Sequence, residues 1–73
     1  MSTQIVMDHT GDRHHQFDPR NARELAEAEK RFKELTEMGF TAAERTTTGE
    51  TVKVTSFDPA AQETVFFPRL VGG

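Results

Sequence analysis

The groups best suited to chemistry are the last two residues, Gly72 and Gly73. We expect Gly73 to carry a free carboxylate. Glycine has no Cβ and accepts backbone angles that other residues avoid. A diglycine can therefore thread a narrow channel and place its carboxylate against a second reactant. We expect residues 69–73 to form a flexible tail that leaves the fold. Two glycines stand together at a given terminus in about one chain in 200 by chance, so the diglycine alone is weak evidence.

The other reactive side chains favour structural roles. His14 and His15 are neighbours in a predicted strand, so their side chains point to opposite faces and do not share a metal ion. Ser56 and His9 make no catalytic triad without a placed acid, and so short a chain does not enclose a substrate pocket. Turns and helix caps explain the carboxylates near the first hairpin, which are Asp8, Asp12 and Asp18. We predict no catalytic residue, no metal site and no cofactor, and a protein that is not an enzyme.

Length and composition predict one small domain, over residues 1–68. A chain of 73 residues buries only about 60% of its unfolded surface, so its core is small. There is no cysteine, which excludes a disulfide framework and a thiol nucleophile. The net charge of −3, with acids and bases interleaved, favours neither nucleic acid nor a membrane surface as a partner. With no predicted membrane span or signal peptide, we expect a cytoplasmic monomer.

Five β-prone runs and one helical pattern would position the tail. The predicted strands are Gln4–Met7, Arg13–Phe17, Phe40–Arg45, Thr51–Thr55 and Glu63–Phe67. Val65, Phe66 and Phe67 stand together, which favours a last strand that is buried on both faces and therefore central. Pro68 donates no backbone hydrogen bond, so we expect the pairing to weaken there. Residues 57–62 predict a tight turn or one short helical turn.

The helical pattern spans Asn21 to Met38 and contains no glycine or proline. Its apolar stripe consists of Ala22, Leu25, Ala28, Phe32 and Leu35. Two starts compete: Asp18 as the N-cap with Pro19 as the first helical residue, or Asn21 as the N-cap with Glu24 three residues later. Gly39 is suited to the left-handed position that ends a helix. A single stripe predicts a single packing partner, which is one face of a sheet.

Element order and polarity together predict an α+β protein with the β-grasp arrangement. The two most apolar strands, at Ile5 and Val65, would be the central pair and run parallel. The more polar strands, at His14 and Lys53, would be the edges. The helix would cross one face of this mixed sheet of about five strands.

This pattern resembles ubiquitin and its relatives. The opening run Gln4–Met7 with a turn at Thr10 and Gly11 is similar to the first hairpin of ubiquitin. The passage over residues 17–19 resembles that family's entry into its helix. The last strand and tail, residues 63–73, are similar to the end of ubiquitin, which also closes on a diglycine.

The sequence also departs from the ubiquitin pattern. Pro68 interrupts the junction between strand and tail, and Val71 stands where ubiquitin has an arginine. The segment after Arg45 is shorter. No counterpart of ubiquitin's apolar partner-binding patch is identified.

The resemblance implies a function for the tail. An E1-like adenylylating enzyme would use ATP to activate the Gly73 carboxylate. The activated carboxylate would then form a thioester for conjugation to an acceptor protein, or a thiocarboxylate as in the sulfur carriers. Gly73 would supply the acyl carbon, and Gly72, which has no side chain, would let the backbone approach the nucleotide closely. The residues in contact with the channel of the enzyme would be Arg69, Leu70 and Val71. The alternative is a small binding module that presents a sheet face or edge to a partner and makes no use of the diglycine, since a fold does not settle a function.

Overall fold

The protein is an α+β domain with one helix on a five-stranded mixed sheet, as a computed structural model that describes residues 1–68 shows. In chain order the elements are β1 (Ser2–Asp8), β2 (Gly11–Phe17), α1 (Ala22–Glu37), β3 (Phe40–Arg45), β4 (Thr51–Val54) and β5 (Glu63–Pro68). The observed ends of the strands differ from the predicted ends by up to two residues. The first turn is consequently shorter than expected, because Asp8 already pairs with Gly11.

The strand order across the sheet is β2-β1-β5-β3-β4. β1 and β5 are parallel, whereas the β1–β2, β3–β5 and β3–β4 pairs are antiparallel. This confirms the predicted central parallel pair and the predicted edges at His14 and Lys53. The arrangement is compatible with a β-grasp fold.

The helix begins one turn later than the proline suggested. Asn21 is the N-cap, and its Oδ1 accepts hydrogen bonds from the backbone N–H groups of Arg23 and Glu24, both at 3.1 Å. The alternative start at Asp18 is therefore wrong: Asp18 instead closes a turn by accepting from the Arg20 N–H at 2.9 Å. Glu24 reaches past the N-cap and accepts from the Asp18 N–H at 3.0 Å. The Asn21 side chain thus satisfies backbone N–H groups of the first helical turn, and the Glu24 side chain satisfies one in the preceding turn.

The helix ends at Glu37 with Met38 as its C-cap, directly before the predicted glycine. Gly39 has a φ of 100°, in the region that other residues rarely adopt. Its N–H donates to the carbonyl of Thr36 at 3.1 Å, which satisfies one of the free carbonyls of the last turn. The chain then reverses directly into β3.

The core lies between α1 and the sheet face that it covers. Its cluster of buried residues is Val6, Phe32, Leu35, Ala42 and Phe66, with Phe40, Val54 and Phe57 packed against it. Phe32 meets Phe66 and Phe57 edge to face, at centroid distances of 5.6 Å and 5.9 Å. Such aromatic contacts contribute about 0.5–1.5 kcal/mol beyond burial alone. Of the predicted helical stripe, Ala22 is exposed and Leu25 half-buried, so the buried part of the stripe begins at Ala28.

Burial differs between neighbouring apolar residues in β4 and β5. Val52 of the short edge strand β4 is 48% exposed, whereas Val54 packs against the core. Val65 and Phe66 are buried as predicted, whereas Phe67 is 38% exposed. On the helix face of β5, Thr64 and Phe66 are buried, and on the opposite face burial ends after Val65. Residues 57–62 form a turn rather than a helical turn, with Asp58 Oδ1 accepting from the Ala60 N–H at 2.9 Å.

Within residues 1–68, α1 is neither long enough nor apolar enough to cross a membrane.

Candidate functional site at the end of the central strand

The residues predicted to act in the tail follow β5 directly. Arg69, Leu70, Val71, Gly72 and Gly73 lie outside the described residues, so their roles stay predictions. The strand that leads to them is described to its last residue. Its anchoring determines where the tail starts.

β5 is held on both sides along its length. Its pairing with β1 runs from Glu63 opposite Thr3 to Phe66 opposite Val6. Its pairing with β3 continues further, to Pro68 opposite Phe40. Pro68 thus ends the strand at a paired but exposed position. The described part of the chain therefore ends at a point fixed by the middle of the sheet.

The β1–β2 turn lies at the same end of the sheet as Pro68, because β1 and β5 are parallel. Asp8 opens this turn, and its Oδ1 accepts from the Thr10 N–H at 2.8 Å and from the Thr10 hydroxyl. The guanidinium of Arg13 is 3.3 Å from Asp8 Oδ2. These hydrogen bonds from Thr10, with help from the charge of Arg13, lower the pKa of Asp8. A carboxylate that stays ionised and locally paired therefore borders the end of β5.

The sheet face opposite α1, which we name the open face, carries an apolar row through its middle. The register aligns one residue from each strand in the order His14, Ile5, Val65, Ala43, Lys53. Val65 and Ala43 are 7% and 2% exposed, although α1 packs on the other face. The polar edge residues His14 and Lys53 border this row.

Met7 and Phe67 extend the apolar row towards the end of β5. They follow Val6 and Phe66, a registered pair, and so lie side by side on the open face. Met7 is 36% exposed and Phe67 is 38% exposed. Sequence reasoning missed this pair by treating β5 as buried on both faces. The missed signal is the alternation along β1: Ile5 and Met7 point to the sheet face opposite that of the buried residues Gln4 and Val6.

The histidines occupy the faces that their spacing predicted. His14 is opposite Ile5 on the open face, whereas His15 is opposite Gln4 on the helix face. Partial burial lowers the pKa of His15, and the positive charge of Arg31 lowers it further. Among the described residues, no three metal-binding side chains stand together.

No known family model matches the chain, and neither a curated protein nor a solved structure shows a significant match to it.

Proposed function

We propose that the protein is a ubiquitin-like protein modifier or sulfur carrier that acts through the carboxylate of Gly73. An E1-like enzyme would join this carboxylate to AMP with release of pyrophosphate. A thiol would then displace AMP to give a thioester for an acceptor protein, or hydrosulfide would displace AMP to give a thiocarboxylate. The proposal places the protein in the cytoplasm, where ATP is available, and treats it as a monomer.

The observation that supports the proposal is the position of β5. It is the central strand, it pairs on both sides, and it ends exposed at Pro68, five residues before Gly73. A partner that docks on the sheet would therefore find the start of the tail at a defined distance and direction. A fixed starting point of this kind would favour delivery of the carboxylate to a partner's nucleotide site, because positioning lowers the entropic cost of the reaction.

The test compares the full chain with a chain that lacks Gly72 and Gly73. Both are incubated with ATP and a candidate adenylylating enzyme, and ATP–pyrophosphate exchange and protein mass are measured. We expect exchange and a thioester, conjugate or thiocarboxylate only with the full chain. Gly73→Ala adds one methyl group at the reacting residue and should reduce exchange strongly. Equal exchange from the truncated chain would refute the proposal.

A second candidate function is a binding module that uses the open face. It is favoured by the two large apolar side chains exposed side by side there, Met7 and Phe67. Exposed apolar patches mark interaction sites more often than isolated apolar residues do. Partner binding that survives removal of the diglycine but is lost in Phe67→Ser would favour this function over the first.

A further inference from the structure

A buried polar contact joins α1 to β1, the strand next to the edge strand β2. Gln4 of β1 is 1% exposed and lies on the helix face of the sheet. Its Oε1 accepts a hydrogen bond from the guanidinium of Arg31 at 2.8 Å, and its Nε2 donates to the carbonyl of Ala28 at 3.0 Å. The positive charge of Arg31 is therefore held against β1, within one strand of the sheet edge.

His15 of β2 lies beside this contact. In the antiparallel β1–β2 pair His15 is directly opposite Gln4, so both side chains lie on the helix face. Side chains that are directly opposite have Cβ atoms about 4.5–5.5 Å apart, which makes the imidazole a neighbour of the amide that binds Arg31. His15 is half-buried, whereas His14 is exposed on the open face. α1 also contacts β2 directly.

Both elements around His15 bring charges towards it. From β2 comes Arg13, two residues earlier on the same face, with its guanidinium 3.3 Å from the carboxylate of Asp8. From α1 comes Arg31, and the charged residues that line an open cleft together with it are Glu27, Lys30 and Glu34. Burial lowers the pKa of His15, and the positive charges of Arg31, Arg13 and His14 lower it further.

We propose that His15 makes the attachment of α1 to the β1–β2 half of the sheet sensitive to acid. At neutral pH the uncharged imidazole is accommodated beside the Gln4–Arg31 contact. In mild acid the imidazole takes up one proton from solvent and becomes a second cation next to the guanidinium. Repulsion between the two cations, together with the partial burial of the new charge, weakens the contact and loosens α1 from this half of the sheet.

The sign of the pH dependence follows from linkage. Because the pKa of His15 is lowered in the folded protein, the unfolded chain takes up this proton more readily than the folded one. Neutral His15 therefore contributes stability that is fully present above the ordinary histidine pKa of about 6.5 and is lost as the pH falls through the lowered value. Burial raises the pKa of Glu44 towards the same range, so the evidence is the difference between variants rather than the wild-type profile alone.

The first test measures urea unfolding of the full chain at about pH 7.5 and about pH 5.5. An imidazole that stays neutral in the folded protein lowers the folding equilibrium constant by at most about tenfold over this interval, because the unfolded chain protonates with a pKa of about 6.5. The constant of the wild type should fall about 2- to 10-fold further than that of His15→Gln, which has no titratable ring. His9→Gln, at an exposed position of the β1–β2 turn, is the matched control and should behave as wild type. Equal pH dependence in the wild type and His15→Gln would overturn the proposal.

A second measurement identifies the partner on α1 and uses the folded protein. NMR titration of the His15 imidazole should give a higher midpoint in Arg31→Met than in the wild type, because one nearby positive charge is removed. Lys30→Met removes the adjacent cation of α1 and should leave the midpoint close to that of the wild type. A midpoint that does not rise in Arg31→Met, or that rises equally in Lys30→Met, would overturn the proposal.

Discussion

Replacing Gln4 by methionine tests whether one buried amide fastens α1 to the sheet. Gln4 is 1% exposed and lies on the helix face of β1. Its Nε2 donates to the carbonyl of Ala28 at 3.0 Å, and its Oε1 accepts from a guanidinium nitrogen of Arg31 at 2.8 Å. Among the described residues, no buried side-chain polar atom lacks a partner. Methionine has a similar volume but neither donates nor accepts comparably, so it removes both contacts with little change in packing.

The expected loss follows from these two hydrogen bonds. The neutral bond to Ala28 contributes about 0.5–1.5 kcal/mol, and the charge-assisted bond from Arg31 about 1.5–3 kcal/mol. Two effects reduce the sum: Arg31 is partly exposed and regains water, and a buried methionine is more favourable than an unpaired amide. We expect a loss of about 1–3 kcal/mol. A domain of 73 residues has a total stability of about 4–11 kcal/mol, so this change is readily measured.

The assay is urea unfolding of the wild type and of Gln4→Met, followed by circular dichroism. Gln16→Met is the matched control, because Gln16 is an exposed glutamine on β2 and its loss should change stability by no more than about 0.5 kcal/mol. A thermal scan should show a midpoint lowered by roughly 4–8 °C for each kcal/mol lost. If Gln4→Met is no more destabilised than Gln16→Met, the amide does not fasten the helix.

Three further predictions concern the cap, the first turn and the open face. Asn21→Ala should cost about 0.5–2 kcal/mol in urea unfolding, and an unchanged midpoint would contradict its role as the N-cap. Asp8→Asn should destabilise the protein above the ordinary aspartate pKa of about 3.9. The difference in stability between the variant and the wild type should vanish as the pH falls through the lowered pKa of Asp8. A difference that stays constant with pH would exclude the charge of Asp8 as the cause. Phe67→Ser should cost less than about 1.5 kcal/mol because Phe67 is already 38% exposed. Phe66→Ala, at a fully buried position, should cost about 3–5 kcal/mol. Equal losses of stability would contradict the different burial of these two residues of β5.

Strand order was predictable because polarity differs strongly between the strands. β1 and β5 contain the apolar runs around Ile5 and Val65, and such runs favour the middle of the sheet, where each strand has a neighbouring strand on both sides. The edges followed from the charged and polar residues of β2 and β4, which suit positions with free backbone groups. The parallel direction of the central pair followed from the single crossover helix between the two hairpins.

The helix start was less predictable because two local signals competed. Asp18 followed by Pro19 is a favourable N-cap pair, but so is Asn21 followed by Glu24. The structure uses the second pair, because the Asn21 side chain caps the helix while Glu24 accepts a hydrogen bond from the Asp18 N–H. No single-position propensity distinguishes these outcomes, since the choice depends on the path of the chain from β2.

Alternation along β1 and β5 explains why the sheet was predicted better than its exposed surface. In each strand the residues that face α1 define the fold, as Val6 and Phe66 do. A run of apolar residues conceals which residues face α1, because Phe66 and Phe67 are identical in type although Phe66 is 0% exposed and Phe67 is 38% exposed. Only pairing with neighbouring strands assigns each residue to a face. Substitutions at Phe67 can therefore alter the open face while the core remains intact, so the use of this face can be tested separately from the stability of the domain and from the chemistry of the tail.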